Sequence, residues 1–195
     1  METYAQLMER LDLRVSSPDK RIKARIKGRN AFDIKFLGNA YREYTTSAME
    51  GQFEGLCQLV WVGYRKAALT ARSRTPGAFR SDQDEEPLST AEEELFAKRK
   101  QLEFEAMSSR GSITLACRGW RRWKVTIAPR TLDTLSEEKF LSEARSVVPR
   151  ILNAYHDRYD RLLDDFHKKR DPESYRDRKR YSRPMRRQMW TAPVT

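Results

Sequence analysis

Residues 113–127 read ITLACRGWRRWKVTI. Ile113, Leu115 and Cys117 alternate with other residues, Trp123, Val125 and Ile127 do the same further on, and Gly119 stands between the two runs. Period-two alternation is the mark of a strand with one buried face, and an isolated glycine between two such runs marks a turn. The stretch predicts a β-hairpin with one apolar face and one basic face.

The same figure occurs once before. Residues 22–36 read IKARIKGRNAFDIKF, with Ile22, Ala24 and Ile26, then Phe32, Ile34 and Phe36 in alternation and Gly28 at the turn. Ile22 and Ile113 are 91 positions apart, as are Gly28 and Gly119. At that fixed offset Leu11 falls on Leu102, Leu13 on Phe104, Met49 on Phe140, Val60 on Ile151, Trp61 on Leu152 and Tyr64 on Tyr155, with no gap. The agreement spans both a period-two and a period-3.6 region, which points to a tandem duplication.

Outward from the hairpins, Tyr4, Leu7, Met8 and Leu11 have helical spacing, and Leu13 and Val15 alternate as a first strand before the turn Ser16-Ser17-Pro18-Asp19. Ser47-Ala48-Met49-Glu50 matches a capping box, followed by the stripe Phe53, Leu56, Cys57, Val60, Trp61, Tyr64 and Ala68. In the second copy Leu95, Phe96, Arg99 and Leu102 share a helix side, and a last helix carries Ile151, Leu152, Tyr155, Tyr159, Leu162, Leu163 and Phe166. Pro149 predicts a kink or break in that helix near Val148. The expected class is α+β: two modules of helix, three-stranded antiparallel sheet and helix, at residues 1–71 and 88–167. A linker at 72–87 and a flexible basic tail at 168–195 complete the chain.

Among 195 residues, 38% are hydrophobic and 34% charged, and the net charge is +11. That composition suits a folded protein with a polyanionic partner. No run of about 18 apolar residues and no signal-like start is present, so the expectation is a cytoplasmic protein without membrane insertion. Cys57 and Cys117 stand in apolar surroundings as small core residues, not as a disulfide framework.

The GSITLACRG strand and turn, the following WKVTIAPRTLD and the acid-rich helix start Ser136-Glu137-Glu138 resemble the YbaB/EbfC nucleoid-associated family of bacteria. That resemblance implies helix–strand–strand–strand–helix modules that pair through their sheets, double-stranded DNA as partner and a location on the nucleoid. Two copies in one chain imply either an intramolecular pseudo-dimer or a homodimer. The family's glycine- and Met-rich first-strand region is absent here.

Two groups of residues carry candidate chemistry. On the sheets, Lys23, Arg25 and Lys27 face away from the apolar side of the first hairpin, and Arg118, Arg121, Arg122 and Lys124 crowd the second turn beside Trp120. Cations along a surface suit phosphates, and an exposed Trp120 would stack on a base, whereas a buried one would be core. In the tail Arg176, Arg178, Lys179, Arg180, Arg183, Arg186 and Arg187 are interleaved with Tyr175, Tyr181 and Trp190. Such a segment suits a duplex backbone without base specificity. His156 and His167 are on the order of 16 Å apart along a helix, too far to share a metal ion. No nucleophile–base pair, phosphate loop or cofactor motif is readable. The expectation is a non-enzymatic, DNA-associated protein of low sequence specificity. The alternative is an adaptor or chaperone-like module that binds an acidic protein.

Overall fold

The computed structural model describes residues 3–28, 31–74 and 90–170. In chain order the elements are α1 (Tyr4–Glu9), β1 (Asp12–Ser16), β2 (Ile22–Lys27), β3 (Ala31–Phe36), α2 (Ala40–Glu43) and α3 (Thr46–Ser73). Then follow α4 (Thr90–Lys100), β4 (Glu103–Met107), β5 (Ile113–Arg118), β6 (Arg122–Ile127), α5 (Thr131–Thr134) and α6 (Glu137–Arg170). The fold is α+β, with two antiparallel sheets ordered β1-β2-β3 and β4-β5-β6. From β1 to the first residue of α3, every boundary recurs 91 residues later.

The register follows the alternation in the sequence. Ile22 pairs with Phe36, Ala24 with Ile34 and Ile26 with Phe32, while Ile113 pairs with Ile127, Leu115 with Val125 and Cys117 with Trp123. Residues opposite one another share a face, so each sheet has one apolar side. Details recur as well. Ile22 N–H donates to the Ser17 hydroxyl (2.9 Å) and Ile113 N–H to that of Ser108 (3.0 Å), which satisfies two buried serines. Gln52 on α3 accepts from Asp19 N–H (3.1 Å), and Glu143, its counterpart on α6, accepts from Arg110 N–H (2.9 Å).

The turn glycines are required twice over. Gly28 and Gly119 have φ of +63° and +57°, and a Cβ would lie 3.1 Å from the Glu9 carbonyl oxygen at Gly28 and 2.2 Å from that of Lys100 at Gly119. Each turn is thus pressed against the end of the preceding helix.

Each long helix crosses to the other half. α3 lies on β1 and β2 and also along β6, and α6 lies on β4 and β5 and also along β3. Glu50 and Glu54 accept from Ile127 N–H (2.8 Å) and Val125 N–H (3.1 Å), and Arg145 donates to the Ile34 carbonyl (3.1 Å). Side chains thus occupy backbone groups of both third strands, edge strands that would otherwise offer those groups for further pairing. One continuous hydrophobic cluster runs through both halves, with Ile22, Ile34, Met49, Ile113, Val125 and Phe140 almost wholly enclosed.

Three expectations change. The cap of α3 is Thr45, whose hydroxyl accepts from Ala48 N–H (3.2 Å), not Ser47, which lies within the helix. The helix begins earlier because its first turn is polar and invisible to an apolar stripe. Of the kink or break expected near Val148, the break is absent, since α6 runs through Pro149; the proline removes one internal hydrogen bond, and the flanking Val147 and Ile151 are both buried. The hairpin 113–127 has its apolar face, but its outer face is only half basic: Thr114, Ala116 and Thr126 accompany Arg118, Arg122 and Lys124. The single turns α2 and α5 are too short to leave a periodic signature.

Candidate nucleic-acid interface

The more basic surface belongs to the first sheet, with five cations against two acids. Across its outer face the register places Ser16, Lys23 and Lys35 in one row, Arg14, Arg25 and Asp33 in the next, and Asp12, Lys27 and Ala31 in the third. Apart from the half-buried Ser16, all of these residues are exposed. Neighbouring strands are about 4.8 Å apart and same-face residues about 7 Å apart along a strand, so five cations share a patch only three strands wide.

Two of the five are already engaged. Arg25 donates to Asp12 through Nε (2.7 Å) and Nη2 (2.8 Å), and Arg14 reaches the same carboxylate (3.2 Å). Hydrogen bonds from Arg25 and then Arg14 hold the Asp12 carboxyl far below the usual aspartate range. Asp33, the other acid on the face, is taken by Arg145 of α6 (3.0 Å). Lys23, Lys27 and Lys35 have no ion pair among the described residues. Lys23 and Lys35 are direct cross-strand neighbours, an arrangement that is unfavourable until an anion lies over it. Beside the face, Arg21 pairs with Glu43 and lies over the Tyr44 ring (5.3 Å).

The outer face of the second sheet differs. Its rows are Met107, Thr114 and Thr126; Glu105, Ala116 and Lys124; Glu103, Arg118 and Arg122. Arg118 pairs with Glu103 (3.6 Å) and bonds Gln101, and Lys124 pairs with Glu54 (3.3 Å). Of the four cations expected at this turn, only Arg121 and Arg122 stand exposed without an ion pair among the described residues.

Trp120 is not available for stacking on a base. Its backbone is left-handed (φ +61°), and the indole lies buried and parallel to Trp61, with ring centres 4.7 Å apart. Phe104, Trp123 and Tyr155 close around it at 4.9, 5.6 and 4.8 Å. The indole N–H groups of Trp120 and Trp123 are enclosed, with no hydrogen-bond acceptor among the described residues. Burial pushes the thiols of Cys57 and Cys117 up to about 12, which leaves them protonated and poor nucleophiles at neutral pH.

Sequence reading missed Arg14 and Lys35. Both were legible once the register was drawn, since pairing Ile22 with Phe36 puts Lys35 opposite Lys23. Arg176, Arg178, Lys179, Arg180, Arg183, Arg186 and Arg187 lie outside the described residues, as does Arg29 at the first turn. Among the described residues no three His, Cys, Asp or Glu side chains gather to hold a metal ion, and no helix is long and apolar enough to cross a membrane. Comparison with protein families, with curated proteins and with solved structures finds no match to the chain.

Proposed function

We propose that the protein is a non-enzymatic DNA-associated protein that binds the phosphate backbone of the duplex with little regard for sequence. In this reading it is a tandem of YbaB-like modules folded as an intramolecular pseudo-dimer, cytoplasmic and nucleoid-associated. The observation that carries the binding is the outer face of the first sheet, where Lys23, Lys27 and Lys35 stand exposed and unpaired among the described residues. The nearby acids are already occupied, so the face is left with a net positive charge. A flat cationic surface without an exposed ring or a base-reading helix contacts phosphates, which position a protein without specifying sequence. The basic tail adds charge to the same encounter and enlarges the number of counterions released.

The pseudo-dimer reading is supported by the element-for-element recurrence at 91 residues and by the reciprocal crossing of α3 and α6. A second reading, an adaptor for an acidic protein, draws on Leu59, Val62 and Leu69, which are exposed along one side of α3. Titration of labelled duplex DNA with the full chain at two salt concentrations separates the two. Affinity is expected to fall several-fold as salt rises, and to fall again in the variant K23E/K27E/K35E. Absence of binding at low salt overturns the nucleic-acid reading and turns attention to acidic proteins.

A further inference from the structure

The two halves meet through a pair of contacts whose charges are reversed. On one side Glu54 of α3 meets Lys124 of β6 at 3.3 Å, and on the other Arg145 of α6 meets Asp33 of β3 at 3.0 Å. Glu54 and Arg145 are 91 residues apart, and so are Asp33 and Lys124, so these are one contact made twice with opposite polarity. The backbone bonds match: Glu54 accepts from Val125 N–H, and Arg145 donates to the carbonyl of Ile34, its counterpart 91 residues earlier. Either half could offer those backbone groups to a copy of itself. The side-chain charges could not. A first half paired with another first half would set Glu54 against Asp33, and a second half paired with a second half would set Arg145 against Lys124.

Packing points the same way. Phe53 meets Phe140 edge-on at 5.8 Å, and the residues at the corresponding positions are Ala144 and Met49, all four buried. Like pairing would enclose Phe53 and Met49 twice in one case and Ala144 and Phe140 twice in the other. The first overfills the space and the second leaves it short.

We infer that Glu54–Lys124 and Arg145–Asp33 form a pairing code that selects first half against second half and rejects either half against its own kind. The surface it describes recognises one partner, the other half of this chain. The code stands on these contacts and does not depend on what the protein binds.

The test uses the full chain. Asp33→Lys with Lys124→Glu changes two mainly exposed side chains, keeps the net charge and leaves Glu54 and Arg145 in place. Both cross contacts then become repulsive, while like pairing between two chains becomes attractive. Against the neutral control D33N/K124Q, light scattering after size exclusion is expected to show about tenfold more dimer at equal concentration. Adding Glu54→Lys and Arg145→Glu restores opposite charges within the chain and gives up the backbone bonds to Val125 N–H and the Ile34 carbonyl whichever halves pair, so the excess of dimer should disappear, to the ratio of the control or below it. No excess of dimer over the control overturns the code. So does a fourfold variant that dimerises as strongly as the inverted one. If the inverted chain precipitates, a soluble monomeric fourfold variant supports the code, and precipitation of both overturns it.

Discussion

Lys23 and Lys35 stand directly opposite each other across the β2–β3 ladder, on an exposed sheet face, with no carboxylate paired to either among the described residues. Cross-strand like charges destabilise a sheet, so Lys35→Glu is expected to stabilise the fold by about 0.2–1 kcal/mol. Under the proposed function the same change weakens duplex binding and lowers the magnitude of the salt slope by roughly 0.9 or more. Urea denaturation and a salt-dependent titration measure the two separately. Greater stability with unaltered affinity would remove this face from the binding site.

Gly119 separates backbone need from side-chain preference. Alanine there must adopt φ near +57° and place its Cβ 2.2 Å from the Lys100 carbonyl oxygen, so the turn has to move off α4. Gly119→Ala is expected to cost about 2–4 kcal/mol. Gly28→Ala meets its neighbour at 3.1 Å and should cost about 1 kcal/mol, mainly from the left-handed backbone. Thermal unfolding of the two variants side by side checks the order; equal losses would contradict the closer approach at the second turn.

Much of this was legible in the sequence, and what was not has identifiable causes. Strand alternation survives as a pattern because every second residue, Ile113 to Cys117 or Ile22 to Ile26, must be buried whatever lies outside. The charge of an outer face does not follow from one hairpin: Glu103 and Glu105 arrive from β4 and dilute the second sheet, while Arg14 arrives from β1 and enriches the first. Trp120 was ambiguous because its direction is set by a left-handed turn residue, outside both the strand and helix periods. The crossing contacts of Glu54 and Arg145 could not be read from either half alone, since each partner lies in the other copy.

The carboxylates make stability depend on acid pH. Asp12 is held down by hydrogen bonds from Arg25 and Arg14. Burial would raise Asp19, but hydrogen bonds from Ser17, Tyr44 and Arg21 N–H outweigh it, and Glu143 is lowered against its burial by Ser108, Arg110 N–H and Ser112. All three ionise more readily folded than unfolded. Their stabilising contribution is therefore complete above the ordinary values of 3.8 for aspartate and 4.5 for glutamate, and is lost as pH falls through the folded values. Melting temperature should be nearly flat from pH 7 to pH 5 as far as these groups are concerned, then fall. Asp12→Asn removes one contributor and should flatten the fall; parallel curves for parent and variant would refute its role.

Trp120 provides a test in which stability and binding part company. Its ring is enclosed by Trp61, Phe104, Trp123 and Tyr155, so Trp120→Ala empties a large buried volume and should cost about 3–5 kcal/mol. Trp120→Phe keeps an aromatic surface and gives up an N–H that has no acceptor, so no hydrogen bond is lost, and the cost should stay below that of alanine. If the indole stacked on a base, its loss would weaken binding by about 1–3 kcal/mol. Because it is buried, folded Trp120→Phe protein is expected to bind duplex and single-stranded DNA as the parent does. A fluorescence titration with both nucleic acids measures this directly, and a selective loss of single-strand affinity would show that the ring leaves its pocket to reach the ligand.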